Sequence, residues 1–409
     1  MTASPRSPTP AHNLSLTALY EAPPAAASAT EEDTVRFIII TARAYAAVDE
    51  VPARTEEGLE FLASKFGFSA DCTATATAIF ITLAKGGLRW TEVIRVRTRG
   101  PDFTRAVALH RVLERVVNDE ISTRDAADRI TSLLAWHANR SLILDTLANA
   151  LLSASAALLL RADLIELGLA AALGAVVGAS MHFVAGREQL LPLGTVLMAA
   201  VAAAVAFGFD LLGVGNVRPV AVLVASLVVL LPGWRLTVSM SELALGHWTS
   251  GSGRFLSAVV TLLLLVVGVV VGQQAVDMPG MVPLALVPAT NLPPYVRVLS
   301  PLAAGMAMTH LFGARRRDAG WIMLMCVVTS LAAFASGRWL GYTAGAFVGS
   351  FTAMAIGGLL ARRLRLPYAV LQQPATVLLV PGTIGFLSFG SLVDKNVDDF
   401  IQTGFRMLM

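Results

Sequence analysis

A Pro-Gly step stands inside a long apolar run twice in this chain. The first copy is Val228-Val229-Leu230-Leu231-Pro232-Gly233 and the second is Val377-Leu378-Leu379-Val380-Pro381-Gly382. A helical proline has no N–H to give to the carbonyl four residues earlier. The carbonyls of Val228 and Val377 are therefore expected to be freed, and Gly233 and Gly382 ease local unwinding. In lipid a freed carbonyl is tolerated only where it faces protein, water or a ligand. A plain proline kink accounts for a single copy. Two matched copies in two parts of one chain point to a solute site near mid-depth, the plan of transporters with paired broken helices.

Polar residues in the apolar part are the other candidates for chemistry. Arg235, Ser239 and Glu242 follow the first Pro-Gly step. His182 lies near the inner end of the second apolar run, Asp210 near the outer end of the third, and Asp145 at the inner start of the first. A partly desolvated carboxylate such as Glu242 or Asp210 suits a proton carrier. The competing reading is an interfacial side chain reaching to water, which weighs most for Asp145 and Asp210. His182 and His310 read as packed or interfacial. No metal set and no cofactor motif is present: Cys72 and Cys326 lie in different regions, and there is no Gly-x-Ser-x-Gly, His-Glu-x-x-His or Walker loop. Gly178-Ala179-Ser180 beside His182 is superficially protease-like but has no second partner. Without a phosphate loop, an ATP-driven pump built from this chain alone is excluded.

The elements that must hold these residues follow from composition. Of 409 residues, 55% are hydrophobic and 14% charged, with mean hydropathy +0.67; a soluble domain carries about 25% charged residues. Residues 1–140 hold 16 of the 31 basic and 17 of the 28 acidic residues. The chain is thus a soluble front on a membrane-embedded back, which excludes a secreted protein, a fibrous protein and a soluble enzyme. A net charge of +3 is too small to argue for nucleic acid.

Residues 1–32, rich in Pro, Ala, Ser and Thr, read as a disordered tail with no signal peptide. Residues 33–140 read as a small α+β domain. Helices are expected over Asp33–Ala47, over Arg54–Phe66 closed by Gly67, from Pro101 to about Val117, and from a cap at Ser122. One strand is expected over Thr73–Leu83 and a second over Trp90–Val96, joined at Lys85-Gly86-Gly87. From residue 141 the apolar runs reach the length of a span, about 20 residues. Nine are expected, at 142–160, 164–184, 190–212, 219–240, 255–276, 296–313, 319–336, 338–361 and 367–393. Five form a first half (141–276) and four a second (295–409). The proline-broken stretch 277–294 is expected to be an ordered extracytoplasmic loop or re-entrant segment, not a span.

Positive charge supports this count. Arg187, Arg254, Arg315, Arg316, Arg317, Arg362, Arg363 and Arg365 fall in the inner loops, against Arg161, Arg218, Arg297 and Arg338 outside. Matching the halves beyond their Pro-Gly steps places the start of a tenth span near residue 400, so the chain is expected to lack its final helix. Two five-helix halves would then be inverted repeats. Gly341, Gly345, Gly349, Ala353 and Gly357, and more briefly Gly174 and Gly178, read as seams of close helix packing.

The residues together resemble the bacterial threonine/serine exporter family, over roughly residues 35–409. Arg54-Thr55-Glu56, with the helix ending at Leu62 to Gly67, is similar to its N-terminal Arg-x-Glu segment. Leu231-Pro232-Gly233, Glu242, Gly246, Gly251 and Arg254 resemble its first membrane signature, in which Asp commonly stands where this chain has Glu242. Arg362-Arg363 to Pro367, Pro374 and Val380-Pro381-Gly382 resemble its C-terminal one. The resemblance implies export of threonine, serine or similar small amino acids by proton antiport, in the bacterial cytoplasmic membrane, with the N-terminus in the cytoplasm. The partners implied are the amino acid, protons and the lipid bilayer, with no nucleic acid; a homo-oligomer is compatible with it. The competing readings are a passive channel, or a membrane-anchored sensor in which the N-terminal domain is the active module. An N-terminal hydrolase pairing His110 with Cys72 or Ser122 is a third, although Arg111 and Glu114 place His110 on a solvated face.

Overall fold

The computed structural model describes residues 29–96, 100–136, 140–160, 162–184, 187–213, 217–276, 293–379 and 386. The N-terminal domain is built from α1 (Ala29–Ala47), α2 (Pro52–Lys65), β1 (Ser69–Ala74), β2 (Ala78–Lys85), β3 (Leu88–Arg95), α3 (Phe103–Val117) and α4 (Thr123–Ala135). Helix α1 starts four residues before the expected Asp33, inside the stretch read as tail. The three strands form an antiparallel meander in the order β1-β2-β3.

The run expected as one strand over 73–83 is two strands. Thr75 turns the chain: its Oγ1 accepts from Ala78 N at 3.0 Å while its backbone N–H donates to Ala78 O at 2.7 Å. Ile79, Ile81 and Leu83 alternate inward on β2 and meet Phe37, Ile38, Leu59, Leu109 and Ile130 from the helices. Two side chains cap the following helices as N-caps should. Asp102 accepts from Arg105 N, and Ser122 Oγ accepts from Asp125 N while donating to the Asp125 carboxylate.

The apolar part comprises α5 (Leu142–Leu159), α6 (Leu164–Val184), α7 (Leu191–Leu211), α8 (Pro219–Ser226), α9 (Gly233–Ala244), α10 (Trp248–Ala275), α11 (Pro294–Leu311), α12 (Ala319–Leu340), α13 (Tyr342–Leu364) and α14 (Tyr368–Val377). Among the described residues six helices are long and apolar enough to cross a membrane: α5, α6, α7, α10, α12 and α13. The other three expected spans differ. The run 219–240 is the broken pair α8–α9, α11 is a shorter apolar helix, and the run from 367 is described only as far as residue 379 and at Phe386. The loop expected at 277–294 and the tenth span expected near 400 lie outside the described residues, apart from 293 and 294. Helices α12 and α13 divide at Gly341, whose φ of +87° an L side chain rarely adopts. Gly341 therefore stands outside the small-residue stripe, which begins packing at Gly345 against Ala333 and Gly337 of α12.

One apolar cluster binds α6, α7, α8 and α10, and another binds α11, α12, α13 and α14. The N-terminal domain seats on one end of the bundle and touches both. Asp49 Oδ1 lies 3.3 Å from Arg254 Nη1, and Glu56 Oε2 lies 3.7 Å from His247 Nδ1. Arg54 stacks over the Tyr368 ring at 4.6 Å, Thr104 Oγ1 donates to Gly313 O at 2.7 Å, and Glu114 pairs with Arg365 at 3.5 Å.

Candidate functional site

The first Pro-Gly step interrupts the helix as its chemistry requires. Helix α8 ends at Ser226, residues 227–232 turn, and α9 begins at Gly233. Pro232 has no N–H for Val228 O, and no other backbone amide among the described residues bonds to that carbonyl. Ser239 is buried and donates to Leu236 O at 2.8 Å. Arg235, one turn beyond the break, is half-buried and forms no ion pair among the described residues.

In the second half α14 ends at Val377, and Leu378-Leu379 form a turn. Pro381 and Gly382 lie outside the described residues. The two interruptions nonetheless converge. Val228 and Val377 pack against the same apolar cluster, which contains Leu152, Leu371, Ala375 and Leu378. Phe386, beyond the second step, is buried in the other cluster with Leu227 and Leu230.

Glu242 is buried within an ionic network. Gly246, at φ +88°, turns the chain from α9 into α10 and brings Ser250 and Arg254 back onto it. Ser250 Oγ donates to Glu242 Oε2 at 2.6 Å, and Arg254 Nε lies 3.3 Å from Glu242 Oε1. That pair is close without hydrogen-bond alignment. Because Arg254 also meets Asp49, Glu242 belongs to the seat of the N-terminal domain. The Arg-x-Glu segment belongs there too: Arg54 covers Tyr368, and Glu56 accepts from Ala74 N at 2.7 Å beside His247.

A second polar cluster joins residues that the sequence leaves separate. Asp145 on α5 is 5% exposed. Its Oδ2 meets His182 Nδ1 of α6 and its Oδ1 meets His310 Nε2 of α11, both at 2.8 Å. Asp145 therefore does not reach to water. The register comes from α6 packing on α5: Gly174, Gly178 and His182 oppose Ser153, Asn149 and Asp145. A Cβ on Gly178 would stand 2.7 Å from Asn149 Cβ, and one on Gly174 would stand 2.5 Å from Ser153 Cβ, closer than real Cβ atoms approach. The four-residue spacing on both helices was the available signal; nothing local pointed to His310. Asp210 is exposed at the end of α7 and forms no ion pair among the described residues.

The residues imagined as an N-terminal hydrolase are not assembled for it. Cys72 sits in the apolar core, where burial pushes its thiol up to about 12, far from the thiolate a nucleophile needs. Ser122 caps α4, and His110 is exposed on α3. Among the described residues no His, Cys, Asp or Glu group is arranged to hold a metal ion.

Two family models match the chain: one for a threonine/serine exporter over residues 36–276, and one described as Threonine/Serine exporter, ThrE, over residues 298–409. No curated protein and no solved structure matches it. With a helix broken at Pro232-Gly233 where the two membrane clusters meet, and with family matches running from the N-terminal domain through both of them, the chain belongs to the threonine/serine exporter family.

Proposed function

We propose that this chain exports threonine, serine or a similar small amino acid across the bacterial cytoplasmic membrane in exchange for protons, with its N-terminal domain in the cytoplasm. The observation that carries the reading is the Val228 carbonyl, left without a backbone partner among the described residues at the contact between the halves, with Arg235, which forms no ion pair among those residues, in the first turn of the helix beyond the break. A zwitterion has complementary ends. Its ammonium suits freed carbonyls such as Val228 O. Its carboxylate suits Arg235 and the amide-rich start of α9. Val377, Pro381 and Gly382 would supply the matching half of the site, as in transporters with paired broken helices.

The halves would be inverted repeats. Helices α5 and α11 open the two halves and run antiparallel, since Asp145 meets His310 while Ser155 meets Ser300. That direction supports the repeat, and the Arg-rich ends at Arg254 and Arg365 on the domain's side support a cytoplasmic seat.

The test is counterflow. Purified full-length chain in liposomes preloaded with unlabelled threonine should draw in labelled threonine against its concentration difference, and Arg235→Gln should raise the threonine concentration needed for half-maximal exchange. Threonine flux without counterflow would identify a passive channel instead. No threonine or serine flux at all would remove the transport reading.

A further inference from the structure

We propose that His182, Asp145 and His310 are the proton-exchange site of this exporter. The assignment rests on the amino-acid/proton exchange reading above and gives the proton a location.

The carboxylate is buried, and both of its oxygens are committed to imidazole nitrogens at 2.8 Å. Each facing nitrogen must carry a hydrogen to make that bond, so the other nitrogen of each ring, His182 Nε2 and His310 Nδ1, is left to take up or release a proton. The two imidazole side chains are 27% and 33% exposed against 7% for the carboxylate. The rings are therefore more accessible than the carboxylate they flank. Imidazole is the side chain that ordinarily changes charge near neutral pH.

Charge counting links the proton to movement. With both rings neutral, the cluster holds one buried negative charge. One added proton makes it neutral and converts one contact from a neutral-donor hydrogen bond into an imidazolium–carboxylate ion pair. Asp145 and His182 belong to the first half and His310 to the second. A proton carried on His310 therefore tightens a contact between the halves, and its release weakens that contact. About 15 Å along the same interface, ten residues at 1.5 Å each, Ser155 and Ser300 bond reciprocally and need no proton to do so.

Most of the other charged groups described on the neighbouring elements are engaged or distant. Glu166, at the opposite end of α6, is held by Arg218. Helix α8 carries no charge, and Asp210 is at the far end of α7. Arg297 and Arg338 lie at the opposite ends of α11 and α12. Asp318 pairs with Arg317, and Tyr368 of α14 accepts from Arg362. Arg140 donates to Leu311 O beside His310, and Asp102 pairs with Arg105 next to Gly313. Among the described residues, Arg187 beyond the end of α6, Arg315 and Arg316 beyond α11, and Arg363 at the end of α13 are further cations at this end.

The experiment uses the full-length chain in liposomes, with the membrane potential clamped at zero and one pH unit imposed across the membrane. One proton exchanged per threonine should accumulate labelled threonine about tenfold in the acidic compartment. Asp145→Asn, His182→Gln and His310→Gln should each bring this ratio to about one while threonine still equilibrates. A variant that moves no threonine is judged by proton release on adding threonine to the solubilised protein, read with a pH dye: release as in the parent chain counts against the assignment, and its loss supports it. A tenfold ratio in any of the three variants would overturn the assignment. Wild-type chain that shows counterflow but no gradient-driven accumulation would also overturn it, whereas absence of counterflow would remove the exporter reading itself.

Discussion

Arg254 holds two carboxylates at once, which makes its removal the most informative single change. Its guanidinium lies 3.3 Å from both Asp49 and Glu242, and the three side chains are 9%, 13% and 2% exposed. At that separation each attraction is of the order of 5 kcal/mol in a medium of effective dielectric about 20. Most of it is offset by the cost of withdrawing the ions from water. The large effect comes from deleting one partner and leaving the others buried. Arg254→Gln strands two carboxylates and should cost about 3–5 kcal/mol.

Glu242→Gln is milder. It leaves Arg254 with Asp49, and the amide oxygen still accepts from Ser250, so the loss should be about 1–2 kcal/mol. The combined variant removes the buried carboxylate and the guanidinium together. It should be less destabilised than Arg254→Gln alone, with a coupling of about 1–3 kcal/mol. Thermal unfolding of the full-length chain in detergent, followed by tryptophan fluorescence, gives the order of the melting temperatures. Hydrogen exchange around residues 49–56 should quicken in Arg254→Gln as the seat loosens. A double variant as unstable as the two single losses added together would show that the three charges do not act as a unit, and the reasoning would fail.

Gly272→Ala should destabilise, because the new methyl would stand 2.7 Å from Ala203 Cβ and closer still to Ala200 O, forcing α7 and α10 apart; overpacking costs about 1–3 kcal/mol, whereas Gly168→Ala, with open space around it, should gain up to about 1 kcal/mol of helix propensity. Melting temperatures of the two variants should move in opposite directions. Cys72 should resist maleimide at pH 7 and react faster as pH rises, since its burial-raised pKa leaves little thiolate until strongly alkaline pH; rapid labelling of the folded chain at neutral pH would contradict the packed β1. Ser155→Ala should weaken the joint between α5 and α11 by about 1 kcal/mol, because Ser300 loses a hydroxyl partner that is buried with it. Ser155→Ala/Ser300→Ala should cost less than the two single changes together, as read from the same melts.

How much was readable in the chain depended on how local the cause was. The break at Pro232-Gly233 was legible because a missing N–H acts within four residues. The caps at Asp102 and Ser122 are equally local. The turn at Thr75 was not read, because the β-like alternation continues straight through it and the deciding factor is a hydroxyl captured by Ala78. Glu242 looked like a lone desolvated carboxylate because Arg254 stands twelve residues away and returns only through the turn at Gly246. Asp145 and His310 are separated by 165 residues, and only the antiparallel packing of α5 on α11 brings them together.

The seat of the N-terminal domain carries a mechanical consequence. Asp49 and Glu56 grip the α9–α10 corner, while Arg54, Thr104 and Glu114 grip the corners around α11 to α14. A rigid cap fastened across two rotors cannot follow both when they turn in opposite senses. It either rides with one and slips on the other, or it locks the pair. Any cycle that swung the halves past each other would have to unclasp at least one of these grips and close it again, which would make the N-terminal domain a clutch on the bundle.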